Sequence, residues 1–208
     1  MSNTSRHVAS LIDGEVIHSS ELGSITSVTA ETFPILRNLS IKRLILAPGT
    51  IREPHWHANA NELTYCVRGS LLVSVLDTGS VASTFTIDAG QMFHIPSGSL
   101  HHIENVGDEE AELIVAFRHE RPEDFSLWSA FGAMTDAVLG NTYGTPASVW
   151  AAVPRDVTPR QLVARPGAVM VPDDARRPDP HKFDVEAQSA PVDSPVGSAR
   201  LARASFWP

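Results

Sequence analysis

Two histidines one residue apart, a glutamate five residues further on and a glycine at each end define the stretch GTIREPHWHANANELTYCVRG, residues 49–69. In an extended strand, residues i and i+2 project to the same face. His55 and His57 therefore point together, with Trp56 opposite. Glu62 is too far along for one straight strand, but a turn through Ala58-Asn59-Ala60-Asn61 returns it on a neighbouring strand. Two imidazoles and a carboxylate converging on one point outline a divalent-metal site. A fourth ligand is on offer in GQMFHIPSGSLHHIEN, residues 90–105, which carries His94, His101 and His102. His101 and His102 face opposite sides of a strand, so at most one of them joins the set.

The elements that must hold these groups read as short strands broken by turns. Ser40–Ala47 alternates polar and apolar residues and ends at Pro48-Gly49, a turn dipeptide. Leu63–Val67, Leu71–Leu76, Val81–Ile87, Met92–Ile95, His102–Glu104 and Glu112–Phe117 follow, separated by Gly-, Asp- and Asn-rich turns. Strands at this spacing predict an antiparallel sandwich or barrel. After Phe117 the pattern changes: Ser126–Met134 predicts a helix capped by Ser126, Thr135–Leu139 a second ended by Gly140, and Thr158–Ala164 a third. Beyond Arg165 the chain is rich in proline and charge and predicts an extended arm. A weak echo links residues 23–34 (GSITSVTAETFP) with residues 197–208 (GSARLARASFWP), as if the tail were built like the lead-in to the β-rich unit.

Composition narrows the function. Sixteen Lys and Arg against 24 Asp and Glu give a formal charge of −8 and no basic stripe, which argues against nucleic-acid binding. The single cysteine, Cys66, excludes an intramolecular disulfide framework and reads as a small buried hydrophobe. No run approaches the roughly 18 apolar residues of a membrane span, and the first twenty residues lack a secretory pattern. A cytoplasmic protein is expected.

The two histidine-bearing segments resemble the paired motifs of the cupin superfamily, position by position. Gly49, His55, His57, Glu62 and Gly69 meet the first motif; Gly90, Pro96, Gly98, His101 and Asn105 meet the second, after 20 intervening residues. The resemblance implies an all-β, jelly-roll barrel with one metal held by His55, His57, Glu62 and His101, and it selects His101 over His102. His94 and His102 are then expected in structural or supporting places.

Residues 23 to about 144 further look like one barrel of the oxalate decarboxylase group, which is usually a two-barrel manganese protein. That resemblance implies Arg52 beside the metal as the holder of a substrate carboxylate, a task suited to a permanently charged, bidentate guanidinium. It also calls for a proton donor on a lid after the barrel. The lid sequence Ser-Glu-Asn-Ser-Thr is absent, and FRHERPEDFSLW, residues 117–128, stands there instead, with Glu120, Glu123 and Asp124 as candidate acids. Only one complete motif pair is present.

The chain is thus expected to comprise an N-terminal arm to residue 22, the barrel over 23–117, an acidic loop with short helices over 118–165, and an extended arm from 166. Trp128 and Phe131 are expected to pack a helix onto the barrel, and Met92, Phe93 and Ile95 to join its core. Imidazole nitrogen plus carboxylate oxygen suits Mn²⁺ or Fe²⁺, with Zn²⁺, Ni²⁺ and Co²⁺ also compatible. The expected activity is oxalate decarboxylase-like, oxalate to formate and CO₂. A metal-dependent dioxygenase or oxidase using O₂, or a non-catalytic ligand-binding barrel, are the alternatives. A homodimer or larger ring is expected, since single barrels of the superfamily commonly associate through their sheets.

Overall fold

A computed structural model describes residues 7–202. Eleven strands come first: β1 (Glu15–Ser20), β2 (Gly23–Val28), β3 (Ser40–Leu46), β4 (Thr50–His57), β5 (Glu62–Arg68), β6 (Ser70–Leu76), β7 (Ala82–Asp88), β8 (Gln91–Ile95), β9 (Leu100–Asn105), β10 (Ala111–Phe117) and β11 (Asp124–Ser126). Two short helices follow, α1 (Leu127–Ala133) and α2 (Asp136–Tyr143), then β12 (Leu162–Ala164), β13 (Lys182–Asp184), β14 (Val192–Ser194) and β15 (Gly197–Ala199).

The strands form two facing antiparallel sheets. One has seven strands in the order β1-β2-β3-β10-β5-β8-β13; the other has six, running β11-β4-β9-β6-β7 with β12 also on β4. The expected all-β, cupin-type barrel is what the chain builds. Its centre is a single apolar cluster in which Leu46, Leu71, Val73, Phe85, Phe93 and Leu113 are fully buried. Cys66 belongs to that cluster, as its apolar reading implied.

Local chemistry fixes the turns that matter for the site. Between β3 and β4 the Thr50 amide donates to the Ala47 carbonyl, with Pro48 and then Gly49 at φ +70° between them. Pro followed by a positive-φ glycine is the signature of a type II turn. Gly69 separates β5 from β6 at φ +97°, and a Cβ there would lie 2.6 Å from the Ala111 Cβ. Only glycine satisfies both constraints.

Several expected boundaries shift. Residues 15–20 form β1 and pair with β2, so part of the predicted N-terminal arm is sheet. The third predicted helix, Thr158–Ala164, is a correction: residues 162–164 form β12 against residues 50–52 of β4. The unpaired edge of β4 offers backbone hydrogen bonds that a short helix containing Pro159 would forgo. β11 covers the same edge at residues 55–57, so two later segments flank Pro54, which has no N–H to offer the ladder.

Ser126 caps α1 as predicted, its Oγ accepting from the Ser129 amide. α2 runs past Gly140 and ends on Gly144 at φ +64°. In the predicted extended arm, Lys182–Asp184 adds β13 to the edge of β8, and Val192–Ala199 forms a small exposed hairpin. The last part of the echo, residues 203–208, lies outside the described residues. Among the described residues no helix is long and apolar enough to cross a membrane.

Candidate metal centre

Both sheets contribute to one buried cluster. β4 supplies His55 and His57, β9 supplies His101, and β5 supplies Glu62 from the opposite sheet. One ligand atom from each of the four lies within 4.8 Å of all the others, and every one of these residues is buried. His55 and His101 face each other across the β4–β9 ladder, with ring centroids 4.2 Å apart.

The strand pattern that brings in Arg52 depends on an irregularity. Arg52 and His55 are three positions apart, an odd spacing that would send them to opposite faces of a regular strand. The register of β4 against β9 shifts between these two residues, next to Pro54. That bulge resets the alternation, and Arg52 lies on the same cavity as His55 and His57.

The imidazoles are oriented from behind. Nδ1 of His55 lies 2.8 Å from the Glu53 carbonyl, and Nδ1 of His101 lies 3.0 Å from the Ser99 carbonyl. A carbonyl oxygen only accepts, so both Nδ1 atoms carry the proton and both Nε2 atoms present a lone pair. Nδ1 of His57 lies 2.9 Å from Asp124 Oδ1, so it too carries a proton and leaves Nε2 as the inward atom. Hydrogen bonds of this kind fix tautomer and ring direction for metal binding. Glu62 is steadied by the Thr64 hydroxyl, which donates to its Oε1 at 2.6 Å.

At the centre, Nε2 of His57 lies 2.8 Å from Glu62 Oε2. Nε2 of His101 is 3.4 Å from the same oxygen but not aligned for a hydrogen bond, and it is buried without any such partner. Leaving a buried polar atom unsatisfied costs about 1–3 kcal/mol. Three inward imidazole nitrogens and a carboxylate oxygen gathered at one point fit a divalent cation of intermediate softness, which would take the place of the proton between His57 and Glu62.

Electrostatics favour the metal-binding protonation states of His55 and Glu62, while His57 holds its second proton more firmly until a cation displaces it. Burial and the Arg52 charge hold His55 well below the ordinary histidine value. Burial raises the Glu62 carboxyl, but His101 and His57 outweigh it and leave the group ionised, well below the usual carboxylate range. For His57, burial is outweighed by Asp124 and Glu62, and its value is raised.

A second set of charges closes the cluster. Asp124 accepts from Arg52 Nη2 at 2.7 Å and from Lys42 Nζ at 3.2 Å on each oxygen, besides contacting His57. Burial pushes Asp124 up, yet His57, Lys42 and Arg52 win and keep it far below the usual carboxylate range. A cavity of about 20 Å³, the scale of one water, lies among Lys42, Arg52, Phe117 and Asp124 beside the ligands.

Of the three acids predicted after the barrel, the structure brings only Asp124 to the cavity. Glu120 is drawn away, its Oε1 accepting from the Asn38 amide, and Glu123 is exposed, engaged through its backbone with Asn59 and Ala58. His94 and His102 are not members of the four-residue cluster. Two further charged groups, the half-buried Lys42 and the buried Glu53, escaped the sequence. Lys42 shares a strand face with Leu44 and Leu46, and a charge on a core face is itself a signal. Glu53 is buried; its carboxylate accepts from the Ser126 hydroxyl and the Gln161 amide, tying β11 and the start of β12 to the metal strand.

Fold and site together define a jelly-roll metal-binding barrel. Residues 11–158 match the cupin family, and the chain belongs to it. It is 34% identical to germin-like protein 3-8 of Oryza sativa subsp. japonica over 132 residues, 61% of this chain and 59% of that protein. It is 30% identical to the oxalate decarboxylase OxdC of Bacillus subtilis over 117 residues, 56% of this chain and 30% of that protein. The chain thus spans less than two thirds of either relative.

A solved structure of the B. subtilis oxalate decarboxylase at pH 4.6 superposes with a TM-score of 0.78 at 23% identity, over 92% of this chain and 51% of that one. Another, described for its Mn(II) centres, gives 0.76 at 22% identity, over 89% of this chain and 50% of that one. These superpositions speak for the fold.

Proposed function

We propose that the chain is a metal-dependent cupin enzyme acting on a small carboxylate, with oxalate decarboxylase-like lyase chemistry. The observation that carries this reading is a cluster of three oriented imidazoles and Glu62, of which His55, His57 and Glu62 share one cavity with a buried guanidinium, Arg52. Mn²⁺ is the proposed ion, on the ligand chemistry and on the manganese centres of the B. subtilis relative. When bound at His55, His57, Glu62 and His101, it would supply Lewis-acid or redox chemistry.

The remaining roles fall to the chain. Arg52 binds and orients the substrate carboxylate, its charge secured because a guanidinium does not deprotonate in proteins. In decarboxylation the C–C bond breaks, CO₂ leaves, and the remaining carbon takes up a proton to give formate. Beside the four metal ligands, Asp124 is held ionised and Arg52 keeps its protons, so the Lys42 ammonium is the cavity group with a proton to give. Burial lowers its pKa, partly offset by Asp124, which makes it a better acid than a solvated lysine. Phe117 and the core side chains Ile103 and Val115 exclude water around it.

A second reading is favoured by a specific observation: neither Glu120 nor Glu123 lines the cavity, so no carboxylic acid stands ready there. An oxidase or dioxygenase would need no such donor for formate. Formate and CO₂ released from oxalate under air, without matching O₂ loss, supports the lyase. O₂ consumed in step with substrate, and no formate, supports the oxidoreductase. We further propose a homo-oligomer, because Ile12, Val16 and Ile17 leave apolar side chains exposed at the β1 edge. A monomer mass at every concentration would contradict that assembly.

A further inference from the structure

On the edge of β4 that faces away from β9, β11 pairs with residues 55–57 and β12 with residues 50–52, which leaves Glu53 and Pro54 in the gap between the two short strands. Glu53 bridges that gap with its side chain. It is only 3% exposed, and its two oxygens go to different segments. Oε2 accepts from the Ser126 hydroxyl and Oε1 from the Gln161 amide, each at 2.8 Å. The Glu53 amide in turn donates to the Gln161 carbonyl at 3.0 Å. Both donors to the carboxylate are neutral, and Arg52 Nη1 stands off at 4.0 Å. The carboxylate is therefore placed by reach and hydrogen bonding rather than by a close ion pair.

Gln161 is the other half of the arrangement. It lies in the left-handed region at φ +64°, where a residue with a side chain persists only if its surroundings over-determine it, and such residues cluster at active sites. Its own side-chain oxygen is buried with no hydrogen-bond partner among the described residues. The turn is thus held through its main chain, gripped by Glu53 at both the N–H and the C=O. The carbonyl fixed in this way accepts from Arg52 Nη1 at 3.3 Å, while Asp124 accepts from Nη2 at 2.7 Å. Two segments therefore set the plane of the guanidinium. The bond to Asp124 competes with an arriving substrate carboxylate, whereas the bond to a neutral carbonyl survives its arrival.

We propose that Glu53 is a positioning residue, whose side chain locks the Gln161 turn so that the Gln161 carbonyl aims the Arg52 guanidinium at the metal cavity. The proposal rests on the carboxylate-binding role assigned to Arg52 and adds the residue that fixes its direction. The metal ligand next to it is held differently: Nδ1 of His55 meets the main-chain carbonyl of Glu53 at 2.8 Å, a contact that a change of side chain leaves in place.

Three substitutions separate reach from charge. Glu53→Asp keeps the charge but draws the carboxylate back by one methylene, too short to hold Ser126 and Gln161 together. Glu53→Met keeps the length and offers no acceptor; either variant suffices if the other does not fold. Glu53→Gln keeps the length, its amide oxygen accepting from Gln161 and its amide nitrogen donating to the Ser126 hydroxyl. The first readout is NMR of the metal-free protein carrying isotope-labelled arginine, with Arg52→Lys identifying the Arg52 signals. A held guanidinium shows separate Nη signals and a turning one shows a single average. Separate Arg52 signals are expected in the wild-type protein and in Glu53→Gln, and averaged ones in Glu53→Asp and Glu53→Met. The second readout is calorimetric titration of the manganese-loaded proteins with oxalate. Manganese content should stay unchanged, while oxalate affinity falls at least tenfold in Glu53→Asp and Glu53→Met, about 1.4 kcal/mol, and is restored in Glu53→Gln. A general structural role would instead lower metal content along with oxalate binding. Averaged Arg52 signals already in the wild-type protein, separate signals that persist in the folded Asp or Met variant, or a loss in Glu53→Gln as large as in Glu53→Asp would overturn the proposal. Averaged signals with oxalate still bound as in the wild type uphold the hold of Glu53 on Arg52 and remove Arg52 from carboxylate binding.

Discussion

Asp124→Asn removes one negative charge and little else. In the native protein this carboxylate faces Arg52 at 2.7 Å, Lys42 at 3.2 Å and His57 at 2.9 Å. The change leaves a buried guanidinium and a half-buried ammonium, their side chains 6% and 13% exposed, without the anion between them. Breaking a buried ion pair from one side costs about 3–5 kcal/mol. The side chain is 17% exposed, and Asn keeps one acceptor, so the low end, about 3 kcal/mol, is expected. For a chain of this size each kcal/mol moves the melting temperature by about 2–4 °C, giving a loss of about 6–12 °C. Thermal unfolding of the metal-free protein is the assay, so that metal binding does not mask the difference.

The sign with pH follows from the depressed carboxyl. Its stabilisation is present above the unfolded value, roughly 3.9, and is lost as pH falls through the folded value, which lies lower still. The carboxylate's own share of the gap therefore closes only below about pH 4, while the share carried by its bond to His57, whose value is raised, is present below roughly pH 6.5 and shrinks as pH rises. A shift under about 2 °C at pH 7, or a gap that closes already near pH 6, would refute the role of Asp124 as counter-ion.

Gly69→Ala places a methyl group against Ala111 at a positive-φ position. Strain and overpacking together should cost about 2–5 kcal/mol, read as a fall in melting temperature with the metal site unchanged in sequence. Arg52→Lys keeps the charge but loses the planar fork. With metal content retained, kcat/KM for the carboxylate substrate should fall about 100-fold, roughly 2.7 kcal/mol; an unchanged value would remove Arg52 from substrate binding. Burial pushes the Cys66 thiol up to about 12. It should react with a thiol reagent only on unfolding, and rapid labelling of the native protein would contradict its place in the core.

Much of the site was legible because metal ligands obey short-range geometry. The His-x-His spacing needs one strand, and Glu62 needs only the turn at residues 58–61. The positive-φ glycines at 49 and 69 mark the turns in the same way. What the residues alone left open was decided by long-range pairing. Whether Arg52 faces inward depends on a bulge against β9, a partner some fifty residues away in the chain. Asp124 on β11 and Lys42 on β3 meet from different sheets, which no local pattern encodes. Residues 158–164 by their own composition predict a helix, whereas the free edge of β4 draws residues 162–164 into the sheet. Glu120 and Glu123 looked equivalent to Asp124 in a charged loop. The three-residue strand β11 puts Asp124, opposite His57 in the ladder, against the cavity and leaves the others outside.

The decisive measurement is elemental analysis of the purified protein after equilibration with Mn²⁺, compared with His101→Ala and Glu62→Gln. About one manganese per chain in the wild-type protein and almost none in either variant, with all three folded, is the predicted result. Equal metal in wild type and variants, or none in the wild type, would contradict a metal centre at His55, His57, Glu62 and His101.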